Sequence, residues 1–290
     1  MKPAMEVVNE TPQERKYSIT KQMGRELLSL IHNKSQDRGS TTVEVTDGLG
    51  SGKTAFLLSN LKYTLTNAPH IKCFFSEVFR APIQSLKLGK ENVQFFVQKD
   101  AGIVFRNREK KLQEEDMGQI EFTSNEDLYK KAVHGKCNTI FFKERSDITE
   151  FISYLRDVGE WCSVYIDEMA EVVPFGGAGE QWVKNERFGN ILKDLRKCQI
   201  DLFYCSQAVS DIDFRTRSRV LIRVFLPGAY ADRRCRVSQD AIDGLKRNPT
   251  LGNEAYISLA GNFGKIRVND VFRPIKGLCY DAVVKETNSK

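Results

Sequence analysis

A glycine-rich octapeptide constrains this sequence more than any other feature. It reads Asp47-Gly48-Leu49-Gly50-Ser51-Gly52-Lys53-Thr54 and lies between a short β-branched run, Thr42 to Thr46, and a segment with helical spacing of apolar residues, Ala55 to Leu65. A strand, a glycine-rich turn and a helix in this order make a phosphate-binding loop, because backbone N–H groups and the positive end of the helix face the anion. The sequence therefore predicts a P-loop that binds a nucleoside triphosphate.

The last two residues of the loop have separate predicted roles. Lys53 is expected to bridge the β- and γ-phosphates, and the Thr54 hydroxyl to ligate Mg²⁺. The usual pattern places a glycine six residues before the lysine, where this chain has Asp47, which tolerates the left-handed conformation of such a turn. The alternative is a glycine-rich turn whose lysine faces solvent. The predicted ATP-binding residues are Gly48, Leu49, Gly50, Ser51, Gly52, Lys53 and Thr54.

A second motif follows an apolar run. Cys162 to Ile166 leads into Asp167-Glu168, a pattern that resembles the Walker B motif. Asp167 is predicted to hold Mg²⁺ opposite Thr54, and Glu168 to activate the attacking water. Taken alone, two acids also fit a solvated strand end, but their position after a P-loop favours catalysis. We therefore predict an ATPase that uses ATP and Mg²⁺ and hydrolyses the nucleotide.

The next apolar strand also ends in a polar side chain. Ile200 to Cys205 leads into Ser206 and Gln207. Because the carboxyl ends of parallel strands meet at one edge, Gln207 is expected beside Glu168, where an amide can sense the γ-phosphate or the attacking water. The alternative is a glutamine that caps a loop.

An arginine-rich stretch comes directly after this strand. Arg215, Arg217 and Arg219 alternate, and alternate side chains of an extended chain point to one side. One of them, assigned here to Arg217, is predicted to act as an arginine finger on the γ-phosphate of a neighbouring subunit. The alternative is a solvated basic face.

Strand-like runs alternate with helical segments, which predicts an α/β fold with a mainly parallel sheet covered on both faces. Residues 1–40 are expected to form an N-terminal arm and a helix, Ile19 to His32, and residues 41–290 the P-loop ATPase domain. Residues 80–135 break the alternation and are predicted to be a small inserted β element. Further strands are predicted at Ile71–Val78, Val93–Val97, Ile103–Arg106, Thr139–Phe142, Val220–Leu226, Tyr256–Leu259 and Ile266–Val271, and helices at Ile148–Val158 and Asn185–Lys197.

Composition bears on where this domain is located and what it can bind. No stretch approaches eighteen consecutive apolar residues, and residues 1–15 are polar, so neither a membrane span nor a signal peptide is predicted. Seven scattered cysteines without a CxxC pair favour reduced thiols in the cytoplasm over a zinc site. Residues 190–250 hold twelve Lys or Arg and seven Asp, a local charge of +5, which permits sequence-independent contact with DNA phosphates.

The order of the strand ends resembles that of the HerA/FtsK superfamily of P-loop motors. Gly-Ser-Gly-Lys-Thr54, Val-Tyr-Ile-Asp-Glu168 and Phe-Tyr-Cys-Ser-Gln207 occur in sequence, followed by the arginine-rich stretch, and Met-Ala-Glu-Val-Val-Pro174 follows the acidic pair. The group includes viral genome-packaging ATPases and zonula-occludens-toxin-like assembly ATPases of filamentous phages. The resemblance implies a RecA-like fold of the additional-strand type, a homo-oligomeric and usually hexameric ring with ATP between subunits, and DNA passing through its centre.

The sequence therefore predicts an ATP-hydrolysing DNA translocase, in particular a viral or plasmid genome-packaging motor. A viral protein of this kind is expected in the host cytoplasm or with the virion, with a capsid protein as a further partner. One alternative is a phage assembly and export ATPase that acts with a membrane protein. Another is a nucleotide-binding scaffold without turnover, and other P-loop enzymes such as helicases or small kinases stay open.

Overall fold

The computed structural model describes residues 40–46, 52–78, 82–176, 178–230, 237–247, 253–259, 262–268, 276 and 278–285. The predicted N-terminal helix and residues 47–51 of the glycine-rich loop lie outside these ranges. The strands are β1 (Thr42–Thr46), β2 (Lys72–Ser76), β3 (Val93–Gln98), β4 (Ile103–Asn107), β5 (Gln113–Glu115), β6 (Ile120–Phe122), β7 (Cys137–Phe141), β8 (Cys162–Ile166), β9 (Ile200–Ser206), β10 (Ile222–Phe225), β11 (Asn253–Leu259), β12 (Asn262–Val268) and β13 (Tyr280–Val284). The α-helices are α1 (Lys53–Asn67), α2 (Asn125–Lys131), α3 (Asp147–Val158), α4 (Glu180–Asp194), α5 (Phe214–Arg217) and α6 (Gln239–Asp243).

Ten of the described strands form one sheet in the order β12-β11-β10-β1-β9-β8-β2-β7-β3-β6. Neighbouring strands are parallel from β10 to β6, whereas β11 and β12 run antiparallel at the other end. Strand β9 lies between β1, which precedes the glycine-rich loop, and β8, which precedes the acidic pair. The predicted mainly parallel sheet of the additional-strand type is confirmed.

Both faces of the central strands are covered, which explains their continuous apolar runs. All residues of β8 and β9 are buried. Successive side chains point to opposite faces: Phe203 and Cys205 pack in the cluster that contains α1, and Leu202 and Tyr204 pack in the cluster that contains α3 and α4. A sheet held from both sides gives the loops at its carboxyl edge a fixed base.

Helix α3 buries one apolar stripe. In α3 the buried residues Ile148, Phe151, Ile152 and Leu155 recur at helical spacing, and the helix ends at Gly159, whose φ of 72° is left-handed. Helix α4 begins five residues before the predicted segment, at Glu180. Within the described residues, no helix combines the length and the apolar character that crossing a membrane requires.

The predicted insertion is divided between two sheets. Strands β4 and β5 form an antiparallel hairpin, and β4 also pairs with β13 near the C-terminus, which was not predicted. Strands β3 and β6 of the same stretch join the main sheet beside β7. Only the central part of residues 80–135 therefore belongs to the small antiparallel sheet, which covers the same face of the main sheet as α1.

Candidate functional site

The N-terminus of α1 supplies the first side chains of the site. Gly52 caps the helix with a φ of 109°, a left-handed conformation that glycine adopts without strain, and its carbonyl accepts from Phe56 N at 2.9 Å. Lys53 and Thr54 follow in a first turn that has no acidic residue. Such a helix terminus attracts an anion. The predicted phosphate ligands outside the described residues are Gly48, Leu49, Gly50 and Ser51.

Thr54 and Asp167 meet at this edge although they are 113 residues apart in the chain. The Thr54 hydroxyl donates to Asp167 at 3.2 Å (Oδ1) and 3.3 Å (Oδ2). Hydroxyl and carboxylate oxygens suit Mg²⁺, which keeps several water or phosphate oxygens as ligands. Within the described residues, no three His, Cys, Asp or Glu side chains converge on a metal site. The donor set therefore fits a Mg²⁺ that is shared with phosphate.

Three strand ends hold Asp167 in place. Its Oδ1 accepts from the Cys205 thiol of β9 at 2.8 Å, and burial raises the pKa of that thiol well above its ordinary value, so the proton that it donates is retained. The Asp167 carbonyl accepts from the guanidinium of Arg145, which also donates to Ser76 Oγ at 3.2 Å and lies 3.1 Å from Glu171 Oε2. Cys205 therefore orients the Asp167 carboxylate, and Arg145 fixes the backbone of the same residue.

Glu168 follows Asp167 in an unusual backbone conformation. Its backbone is left-handed, with φ 63° and ψ 75°, although it carries a Cβ. Burial raises the pKa of its carboxyl; the charge of Lys53 and a hydrogen bond with Gln207 oppose this shift, and the charge of Asp167 adds to it. A carboxylate with a raised pKa accepts a proton more readily, as a general base must. Lys53, Glu168 and Gln207 thus act on one another at the same edge.

Arg215 and Arg217 lie in the short helix α5 and Arg219 in the turn that follows it, so the prediction of an extended chain is wrong. Asp213 caps α5: its Oδ1 accepts from Arg215 N at 2.9 Å and pairs with the Arg215 guanidinium at 2.8 Å. Arg219 Nε donates to the Arg215 carbonyl at 3.0 Å. Arg217 is only 8% exposed, and its Nη1 donates to the Val209 carbonyl at 3.4 Å. The structure therefore places Arg217 within its own subunit, and its finger role stays a prediction.

A buried ion pair joins β1 to this stretch. Glu44, in the middle of β1, is fully buried, and its Oε2 accepts from Arg223 Nε of β10 at 2.7 Å. Burial raises the pKa of the Glu44 carboxyl, while the charges of Arg223 and Arg217 oppose the shift. Arg223 also donates to the Arg217 carbonyl. The strand that leads into the glycine-rich loop is thus linked to the end of α5.

Two charged residues of the site were missed from the sequence. Glu77 follows β2 and is buried; its Oε1 accepts from Ser85 N at 2.7 Å, and burial raises the pKa of its carboxyl to about 7, with a smaller contribution from the charge of Asp167. Its position directly after an apolar strand was a signal of the same kind as that of Asp167. Arg145 lies in a loop before α3 and has no such signal.

Comparisons with known proteins bear on the fold. No family model and no curated protein sequence matches the chain. Among solved structures, VirB4 of Thermoanaerobacter pseudethanolicus aligns with a TM-score of 0.50 at 10% identity, over 83% of this chain and 91% of that one. Such a likeness shows a shared fold. The predicted α/β fold of a P-loop NTPase is thereby confirmed.

Two weaker matches involve the groups that the sequence resembles. The genome-packaging NTPase B204 of Sulfolobus turreted icosahedral virus 2, in complex with ATP-γ-S, aligns with a TM-score of 0.49 at 11% identity, over 80% of this chain and 98% of that one. The N-terminal domain of zonular occludens toxin from Neisseria meningitidis aligns with a TM-score of 0.38 at 16% identity, over 76% of this chain and 84% of that one.

Proposed function

We propose that this protein is a Mg²⁺-dependent ATPase that uses hydrolysis to move DNA. The observation that carries the enzymatic part is the contact between the Thr54 hydroxyl and the Asp167 carboxylate, directly beside Glu168. Phosphoryl transfer to water needs a metal at the phosphate oxygens and a base at the attacking water. Adjacent residues of one strand end supply both groups.

Each side chain at the edge has one role in this proposal. Lys53 binds the β- and γ-phosphates, and Thr54 and Asp167 hold the metal, which neutralises charge on the phosphate oxygens when it is bound. Glu168 takes the proton of the attacking water on its carboxylate. Gln207, in hydrogen-bond contact with Glu168, orients that water or senses the γ-phosphate.

Movement of DNA is supported by charge and by the resemblance to HerA/FtsK motors. The local charge of +5 in residues 190–250 favours binding to a phosphate backbone without regard to base sequence. A genome-packaging motor, with a capsid protein as partner, is the form of this function that we favour. An export ATPase that acts with a membrane protein is one alternative. A scaffold that binds ATP without turnover is another, and the turnover tests below distinguish it from an ATPase.

A ring of subunits is supported by an exposed apolar surface beside α5. Phe175, Trp182, Val183 and Phe214 are all exposed. The Arg215 guanidinium lies 4.8 Å from the ring centre of Trp182 and 5.4 Å from that of Phe214, so this surface is continuous around the arginine-rich stretch. Exposed apolar patches of this kind mark interaction sites. We propose that a neighbouring subunit covers this surface.

Two substitutions that affect ATP binding and ATP turnover separately test whether the protein is an ATPase. Lys53→Ala should abolish or strongly weaken ATP binding, whereas Glu168→Gln should retain binding and lose turnover by about 10²-fold or more. Lys62→Ala, on the exposed side of the same helix, and Glu180→Gln, at the exposed start of α4, serve as matched controls. Normal hydrolysis by Glu168→Gln would show that this residue is not the base.

A further inference from the structure

The described site binds phosphates and metal on one side of β1, and the structure offers a distinct surface on the other side. The groups that meet around Thr54 come from β8 and β9. On its opposite side β1 pairs with β10, and Leu226 N, just after β10, donates to the Thr46 carbonyl at 2.8 Å. The loop after β10 therefore leaves the sheet where the glycine-rich loop begins, on the side away from the metal ligands.

This loop holds an exposed aromatic ring on an ordered backbone. Gly228 has a φ of 85°, and Ala229 N closes the turn on the Leu226 carbonyl at 3.0 Å. The Ala229 carbonyl accepts from Gln239 Nε2 at 3.1 Å. Tyr230 follows, and 61% of its surface is exposed. An accessible ring whose backbone is fixed can stack on a flat ligand with little loss of conformational entropy.

An amide from β11 lies at the same edge. Strand β11 runs antiparallel to β10 and pairs Tyr256 with Phe225, so its first residue, Asn253, lies level with the loop after β10. A Cβ atom placed on Gly52 would lie 3.7 Å from Asn253 Nδ2, an ordinary van der Waals distance. Asn253 therefore adjoins the last glycine of the phosphate-binding loop.

We propose that Tyr230 and Asn253 form the nucleoside-binding part of the site. Phosphates bound between Gly52 and Thr54 leave the sugar and base to extend from β1 towards β10 and β11. Tyr230 stacks on the base, and the Asn253 amide donates to the ribose. Stacking tolerates every base, because each base has a π-face. This assignment rests on the proposed function, since it assumes that the edge binds a nucleoside triphosphate.

The test compares ATP with inorganic tripolyphosphate, which has the phosphates but neither base nor sugar. Isothermal titration in Mg²⁺ should show that Tyr230→Ala weakens ATP binding about 10- to 100-fold and leaves tripolyphosphate binding unchanged. Tyr230→Phe retains the ring and should bind both ligands as the wild type does. Asn253→Ala should weaken ATP binding more than tripolyphosphate binding.

Each other outcome counts against the assignment. If Tyr230→Ala binds ATP as tightly as the wild type, or loses both ligands equally, Tyr230 does not stack on the base. Wild-type protein that binds neither ligand would overturn the proposed function, and the assignment with it.

A second readout does not depend on loss of affinity. Tyr230→Trp should place an indole on the base, so ATP should quench its fluorescence beyond any change in the wild-type tryptophans, whereas tripolyphosphate should not. Equal responses to both ligands would overturn the assignment.

Discussion

Glu168 has a backbone conformation that glycine adopts more easily, so its replacement should separate stability from turnover. With φ 63° and ψ 75°, its Cβ crowds the following carbonyl oxygen. We predict that Glu168→Gly has a higher free energy of unfolding than Glu168→Ala and that both variants lose turnover. Both substitutions remove the carboxylate, so the difference between them reports the backbone alone.

Two opposing contributions determine the size of this difference. The left-handed conformation costs a residue with a Cβ about 1–2 kcal/mol. Glycine loses roughly 0.5–1 kcal/mol more conformational free energy than alanine when it becomes ordered. The net gain is about 1 kcal/mol in favour of glycine, or a rise in Tm of about 2–4 °C for a domain of this size class.

Urea unfolding without nucleotide, followed by circular dichroism, measures the two variants. Lys111 is a matched control, because it has a φ of 51° in an exposed turn far in sequence from the predicted site. Lys111→Gly should exceed Lys111→Ala in stability by a similar amount, with normal turnover in both. If the Lys111 pair differs as expected and the Glu168 pair does not, strain at Glu168 is refuted.

Three further experiments test the buried ion pair, the arginine finger and DNA binding. Arg223→Met should lower the free energy of unfolding by about 3–5 kcal/mol near pH 8, because Glu44 then remains buried without its partner. The loss should shrink as pH falls through the raised pKa of the Glu44 carboxyl, because protonation removes the unpaired buried charge. The added substitution Glu44→Gln should restore most of the lost stability. Alanine in place of the finger arginine, either Arg217 or the more exposed Arg219, should leave ATP binding intact and slow phosphate release about 10³-fold. Mixing that variant with Lys53→Ala subunits should recover activity, because some interfaces then pair an intact P-loop with an intact finger. A monomer with full turnover would contradict the ring. Filter binding should show DNA affinity that is insensitive to sequence and falls steeply with salt, and no affinity at low salt would contradict the DNA part.

The parts of the site that sequence revealed are those fixed by strand order. Asp167 and Gln207 directly follow strands, and the carboxyl ends of parallel strands share an edge, so the approach of Asp167 to α1 and of Gln207 to Glu168 was foreseeable. The orientation of Asp167 could not be predicted from the sequence, because it depends on Cys205 and Arg145. In the sequence these residues are only a cysteine in a strand and an arginine in a loop. Such contacts are set by packing between distant segments.

The arginine-rich stretch shows how a local pattern was misread. Alternation suggested a strand, but Asp213 is an N-cap residue whose carboxylate accepts from Arg215 N, and it begins a short helix. That signal was present in the sequence and outweighs the spacing of the arginines. Strand β13, by contrast, is defined by pairing with β4 more than 170 residues earlier, which no local signal reveals.

Release of γ-phosphate in a single turnover tests the central claim most directly. Wild-type protein in excess over ATP should release phosphate when Mg²⁺ is present and not when it is chelated, because the proposed function assigns Thr54 and Asp167 to a metal that is shared with the phosphates. Asp167→Asn should lose most of this dependence on Mg²⁺ together with the release. ATP that stays bound and intact on the wild-type protein in saturating Mg²⁺, with DNA present, would contradict hydrolysis and identify the protein as a nucleotide-binding scaffold.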